Sequence, residues 1–460
     1  MSTSDSQGQF LVKFGATAAA FGVLLYLRVK KTLSSKENCL ATQFQLTKPA
    51  DWKYIAEGAL NLTLKYVGED SALKGYVLRL RKNNPKASGG KRSADPWTES
   101  TAYGEKIMLP LLGRRYVQPS HKVPVTESFI KAVDASILNS RPVKRRKYPL
   151  DDRLRYGLLM VDNTCLNGIH KGPAMCVELK VKCGFIPTSP WVSHDVKKRV
   201  DRFQMHQQLK VKEGKLDSVS KYSPPALFSR EPKKVQCAID DLLETPQNNF
   251  RLFVDGKMMF PDSKGHGSKE QLKRILSEYP EIPGGADGFI NALINLLVYE
   301  PLLDRIRTAQ EFDEADIEAV WPVYQEIARR GEKILPLAEG DTLYPRKPHR
   351  TLPKTPEEQH ELVRRFLVSC TAKDCSVMIV IQPDGSPSNS RKTREKLTDL
   401  PIKVGKDVPR TVVSEFDGFS YSVAIVDLDP KPLEKMEHYY KLDKEIAEYY
   451  SKLESTKSLR

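Results

Sequence analysis

"TAKDCSVMIVIQ", Thr371 to Gln382, sets one acid directly ahead of a run of apolar residues that reads as a buried β-strand. A second such run, "FSYSVAIVDL" from Phe419 to Leu428, carries an acid at its far end, Asp427. The polar stretch between them, "PDGSPSNSRKTREKLTDLPIKVGKDVPR", reads as a loop. Antiparallel pairing of the two runs brings Asp374 and Asp427 to the same end of a hairpin. Two acids so placed suit phosphoryl transfer, one accepting the proton of an attacking hydroxyl and the other holding magnesium on nucleotide phosphates. Each acid alone is equally well explained as a cap on a strand end or turn.

A third strand, "CVELKVKCGFIPTSPW" from Cys176 to Trp191, alternates Val177, Leu179, Val181 and Cys183 with Glu178, Lys180 and Lys182. The charged trio therefore shares one face. Beside a magnesium site its lysines can reach phosphate oxygens, and Glu178 can accept from a ribose hydroxyl or a lysine. A solvated antiparallel face explains the same pattern, but further cationic stripes accompany it. A helix opening at Ser193 carries Arg199, Arg202, His206 and Lys210 at steps of three and four, with Val192, Val196, Val200 and Phe203 on its apolar side. A closing helix, with Pro432 near its first turn, sets Lys431, Lys435 and Tyr439 four residues apart, starting just past Asp427. In "PQNNFR", Asn248, Asn249 and Arg251 add amide and guanidinium donors. Such a density of anion ligands suits a small ligand bearing many phosphates, each with about −1.5 to −2 charge.

Upstream, "DWKYIAEGALNLTLKYVG" and "GYVLRLRK" read as two strands joined near "GEDSALKG", with Gly58 inside the first limb as a weak nucleotide-loop signal and Arg79 on the second. Thr126 is placed to cap a helix over "ESFIKAVDASIL". Lys144 to Lys147 read as a solvated loop or, more sharply, as a polyanion or nuclear-localisation patch. A strand-rich first third followed by a mostly helical remainder predicts an α+β fold in two lobes.

The formal charge of +15, from 73 Lys and Arg against 58 Asp and Glu, draws polyanions of any kind. Nucleic acid ranks behind a small polyphosphate, because aromatic residues make up only 8% of the chain and no RNA-recognition signature is present. Seven cysteines without CxxC spacing are expected to be mostly buried free thiols in a reducing compartment. Residues 1–45 are set apart as an extension. Its apolar run "FGATAAAFGVLLYL" fits a signal anchor, a targeting segment or a mispredicted first exon, and membrane contact through residues 10–27 is carried as an alternative.

Together, "CVELKVKCGFIPTS", "RFQMHQQLK", "TPQNNFRLF", "TAKDCSVMI" and "VDLDPKPLEKMEHYYKLD" resemble the inositol-pentakisphosphate 2-kinase family, in the right order from about Asp51 to Tyr450. The resemblance implies a two-lobed, protein-kinase-like fold, with a nucleotide-binding N-lobe over 46–165 and a larger catalytic C-lobe over 166–460 carrying the inositol-phosphate pocket. It implies transfer of the ATP γ-phosphate to the 2-hydroxyl of inositol 1,3,4,5,6-pentakisphosphate, giving inositol hexakisphosphate, by a monomer that needs no nucleic acid and sits in the cytoplasm or nucleus. By the same resemblance Asp374 activates the hydroxyl and Asp427, with Asp374, holds magnesium. Lys180 lies near the transferred phosphate, and Lys182, His206, Lys210, Lys431, Lys435 and Tyr439 hold substrate, with Asn248 and Asn249 beside them. Arg141 clamps substrate from the first lobe. Gly58, Asn61, Arg79, Asp162, Glu178 and Arg251 lie on the nucleotide side. Three departures from the family pattern stand out. Between Tyr324 and Ala372, where plant-type members carry a CxxC pair and two histidines, the chain has only Cys370, His349 and His360, so no zinc is expected there; "AEGALN" is poor in glycine; and Lys435 replaces an arginine of some members. A catalytically inactive polyphosphate scaffold and a basic nucleic-acid binder are the competing functions.

Overall fold

The computed structural model describes residues 39–85, 93–164, 173–334, 351–383, 414–416 and 418–458. The apolar run ahead of residue 28, Cys165, His349 and the loop after Pro383 lie outside them. The chain divides into two compact units, Met1–Trp97 with Ser120–Met160 and Thr98–Pro119 with Val161–Arg460.

In the first unit, β1 (Trp52–Glu57), β2 (Asn61–Tyr66), β3 (Tyr76–Arg81), β4 (His121–Pro124) and β5 (Tyr156–Val161) form a sheet in the order β1-β2-β3-β5-β4. The expected first limb is itself two strands. Gly58 falls at the turn between them, and the register runs from Trp52↔Tyr66 to Glu57↔Leu62. Alternation along β2 buries Leu62, Leu64 and Tyr66, as a half-covered strand requires. Helix α1 (Glu127–Ile137) starts where its cap predicts, with the Thr126 hydroxyl accepting from Phe129 N at 3.1 Å, and buries Ile130, Val133 and Ile137 along one stripe.

The second unit holds its own antiparallel sheet: β6 (Met175–Leu179), β7 (Phe250–Val254), β8 (Lys257–Phe260), β9 (Ser376–Pro383), β10 (Ser414–Phe416) and β11 (Phe419–Val426), in the order β10-β11-β9-β6-β7-β8. Every residue of β9 is buried, which is what its unbroken apolar run demands of a central strand covered on both faces. Val177, Leu179, Val377 and Ile379 enter the main core, whereas Cys176, Met378, Val380 and Ala424 form a smaller cluster. Ile107, Met108, Leu111, Leu112 and Tyr116 belong to that main core, which explains why Thr98–Pro119 clusters here.

The helix expected to run unbroken from Ser193 is interrupted. A single 3₁₀ turn, Asp195–Lys198, is followed by α2 (Arg202–Lys212), whose N-terminus is capped by the Asp201 carboxylate accepting from Gln204 N at 3.0 Å. Arg199 therefore leaves the stripe and pairs with Glu454 at 3.1 Å. Helices α3 (Gly285–Tyr299), α4 (Leu302–Gln310), α5 (Ile317–Arg329), α6 (Pro356–Asp374) and α7 (Met436–Ser458) follow. Helix α6 opens on a capping box between Thr355 and Glu358. The described cysteines are free, but Cys39 and Cys237 are exposed, against the expectation of mostly buried thiols. No helix among the described residues is long and apolar enough to cross a membrane.

Candidate active site

The register of β9 and β11 pairs Ser376 with Val426, so Asp374 at the end of α6 and Asp427 just past β11 flank one end of the hairpin. Asp427 sits in the left-handed region at φ 62, a conformation that aspartate tolerates better than most residues and that turns the chain sharply out of the strand. Its carboxylate accepts from Lys180 Nζ at 3.2 Å and lies 3.3 Å from the Ser376 hydroxyl, while more than half of its side chain stays open to solvent. Lys180 Nζ also donates to Ser376 Oγ at 2.9 Å. The Ser376 hydroxyl lies 3.2 Å from Glu178, which accepts from its cross-strand neighbour Arg251 at 2.9 Å. A continuous row thus runs Arg251, Glu178, Ser376, Lys180, Asp427. Ser376 was not singled out from the sequence; its position as the first residue of a strand between the two acids is the signal that pointed to it.

Asp374 accepts from Lys431 Nζ at 2.6 Å. Burial works against its charge, but the ammonium groups of Lys431, Lys182 and Lys180 outweigh it and hold the carboxyl below its usual range.

Beside Asp374 opens a cavity of about 410 Å³. Lys182 enters it from just past β6, where the strand ends at Leu179 and the backbone turns left-handed at φ 59. Val181 stays buried and Lys182 half-buried, but the alternation ends there: Cys183, assigned to the apolar face, is also half-buried and lines the same cavity. Helix α2 supplies Arg202, His206 and Lys210 at four-residue steps, one face of a helix. Lys431, Lys435 and Tyr439 close the far side. They lie not on one helix face but across a loop, the 3₁₀ turn Leu433–Lys435 and the first turn of α7.

Burial and mutual repulsion are written into the titration of these groups. Burial, then Lys180 and Lys210 against the pull of Asp374, brings Lys182 down to about 8. Burial, with Lys210 and Arg202 adding repulsion, brings His206 down to about 3. Lys210 is lowered by burial and by Arg202 and Lys215. At the rear, Asp316, Glu318 and Asp443 gather three carboxylates within 4.8 Å. The place a cation would take is filled by the Lys197 ammonium, which donates to them at 2.6, 2.9 and 2.6 Å. No other such acid group of three occurs among the described residues.

The profile of the family described as inositol-pentakisphosphate 2-kinase matches residues 54–445. The chain belongs to this family. It is 31% identical over 432 residues to the inositol-pentakisphosphate 2-kinase IPK1 of Oryza sativa subsp. japonica, covering 87% of this chain and 94% of that protein. It is 30% identical to the inositol-pentakisphosphate 2-kinase of Arabidopsis thaliana (88% and 94% covered) and 28% identical to that of Danio rerio (87% and 93%).

The remaining residues implied by the family pattern fall in less uniform places. Asn248 is exposed, whereas Asn249 is buried and serves the backbone, its carbonyl accepting from Lys180 N at 2.9 Å. Asp162 is 2% exposed and accepts from the Thr164 amide at 2.9 Å. In the first unit, the Asn61 amide oxygen accepts from Arg81 at 3.0 Å, Arg79 lies 5.7 Å from the Trp97 ring centroid, and the Gly58 carbonyl accepts from Lys82 at 2.6 Å. Arg141, expected as a clamp on substrate, is engaged within the first unit. Its side chain is fully buried, its Nε and Nη2 each donate to Glu57 at 3.0 Å, its Nη1 donates to Asp134 at 3.3 Å, and Nη2 also lies within hydrogen-bonding distance of the Arg145 and Tyr148 carbonyls. A guanidinium so bonded organises the first unit. Ahead of Asp374 in the chain, His360 pairs with Glu332 at 2.7 Å.

Proposed function

We propose that the chain is an inositol-pentakisphosphate 2-kinase that moves the γ-phosphate of ATP onto the axial 2-hydroxyl of inositol 1,3,4,5,6-pentakisphosphate. The observation that carries this reading is the cavity itself. Lys182, Arg202, His206, Lys210, Lys431 and Lys435 converge on a space with Asp374 at one end, and burial together with repulsion from neighbouring cations lowers Lys182, His206 and Lys210. Phosphates on five ring positions supply those anions, leaving the one free hydroxyl to face Asp374. Specificity follows from the count, since a substrate short of a phosphate leaves buried cations unpaired.

In this reading the two units are the lobes of a protein-kinase-like fold, with Gly58, Asn61 and Arg79 as nucleotide contacts in the first and Asp162, Glu178 and Arg251 in the second. Asp427 and Asp374 are hard oxygen donors, and Asp427 is more than half open to solvent and, among the described residues, is hydrogen-bonded by an ammonium and a hydroxyl, a set that fits magnesium. When bound, magnesium neutralises charge on the nucleotide phosphates. The chain's own residues do the rest. Lys431 fixes the Asp374 carboxylate and keeps it ionised, so that it accepts the proton as the 2-oxygen attacks. Lys180, held by Ser376 and Asp427, presents its ammonium to the transferring group.

The activity test is incubation of the full chain with ATP, magnesium and the pentakisphosphate, followed by anion-exchange chromatography. ATP-dependent hexakisphosphate is expected; its absence with well-folded protein moves the polyphosphate-binding scaffold to first place. Proton uptake gives a second readout. Bound phosphates favour the protonated forms of Lys182 and His206, so binding takes up protons near pH 8 and affinity falls as pH rises past the free-site value of about 8 for Lys182. Calorimetry in buffers of different ionisation enthalpy measures this, and zero net uptake would contradict the depressed pocket.

A further inference from the structure

We propose that Asp443 is a positioning residue of the substrate pocket, fixing the Arg202 guanidinium for a phosphate, with the buried Lys197 fixing Asp443 in turn. This rests on the pocket being the inositol-phosphate site.

An acid on the wall of an anion site is electrostatically the wrong group, so its presence needs a reason. Asp443 comes from the second turn of α7, is 7% exposed, and lines the cavity together with Arg202. One carboxylate oxygen accepts from Lys197 Nζ at 2.6 Å, and the other accepts from Arg202 Nε at 3.1 Å. Lys197 is 3% exposed and is itself tied to Asp316 and Glu318, so the carboxylate has little room to turn. The Nε bond sets the plane of the guanidinium, because the fork is rigid. Both Nη groups of Arg202 then have no protein acceptor within hydrogen-bonding distance among the described residues, and they remain on a side chain that is 40% exposed at the cavity. Two parallel N–H donors held in this way match the oxygens of one phosphate. The Lys197 ammonium is shared among three carboxylates, so Asp443 still costs the pocket some positive field and its gain is orientation.

Charge and positioning predict opposite signs. Removing a carboxylate from the wall tightens polyanion binding if only the field matters, and weakens it if Arg202 loses its guide. In the full chain, Asp443→Asn is expected to raise KM for inositol pentakisphosphate by about 5- to 20-fold, since one of its two cationic partners loses an acceptor. The KM for ATP should stay unchanged and kcat should stay within about twofold. In an Arg202→Ala background, which itself raises KM by about tenfold or more, Asp443→Asn should add nothing or lower KM. A KM that is unchanged or lower in the parent background, or one that rises equally in both, overturns the proposal. Asp443→Glu keeps the charge, displaces the carboxylate by one methylene and should repeat the pattern, which guards against a misfolded asparagine variant. Calorimetric titration of the parent, Asp443→Asn, Arg202→Ala and double-variant chains with inositol hexakisphosphate reads the coupling without turnover. If none of the chains turns over but the coupling appears, the kinase reading fails and the role of Asp443 stands.

Discussion

Replacing Asp374 by asparagine is expected to lower kcat for the pentakisphosphate by about 10²- to 10⁴-fold, the range by which a positioned base accelerates proton transfer. The ground state should hardly suffer. Asp374 is the acid at the cation-rich end of the cavity, so neutralising it relieves repulsion with substrate phosphates while the lysines and Arg202 remain. Steady-state kinetics should show kcat collapsing with the substrate KM equal or lower, and calorimetry with inositol hexakisphosphate should show affinity that is preserved or increased. The pH profile carries the same information. Lys431, Lys182 and Lys180 hold the carboxyl ionised below its usual range against the opposing effect of burial, so the base should stay competent well into mildly acidic solution. Retention of kcat within tenfold in Asp374→Asn would remove it from the chemistry.

Lys182→Met should make the ligand-free protein more stable while destroying its use for substrate. The native state holds this lysine down at about 8, mainly by burial, whereas an unfolded chain leaves it near 10.5. Below about pH 8 both states carry the proton and the folded state bears the full penalty, of order 3 kcal/mol at most from 1.36 kcal/mol per unit. The penalty fades as pH rises through that window and is gone above the unfolded value. A methionine of similar length keeps the packing, and neither residue is eased by the left-handed backbone at this position. Melting at pH 7 should therefore rise by several degrees, a smaller gain should remain at pH 10, and KM for the pentakisphosphate should rise by about tenfold or more. A lower melting temperature with unchanged KM would mean that Lys182 is a structural residue rather than a phosphate ligand.

The strands that build the catalytic end were legible because their patterns are local. The unbroken apolar run of β9, buried along its whole length, and the acid bracketing each strand announced both the pairing and its register. Lys182 kept the face that alternation assigned it even after the strand ended. The interruption ahead of α2 was not visible from periodicity. Val192, Val196 and Phe203 are all buried as a single helix would bury them, and the break is set by Asp201 capping the next turn. The surroundings of Arg141 were not legible: sequence supplies the guanidinium, but its partner Glu57 is distant in the chain and adjacent only in space. The Lys197 cluster was unreadable for the same reason, since its acids come from two elements far apart in sequence.

The most direct test is a crystal structure of the full chain with inositol hexakisphosphate. The expected result is the ring seated among Lys182, Arg202, His206, Lys210 and Lys431, with the bridging oxygen of the axial 2-phosphate within hydrogen-bonding distance of the Asp374 carboxyl. A ring bound elsewhere, or one that turns its 2-position away from Asp374, would contradict it.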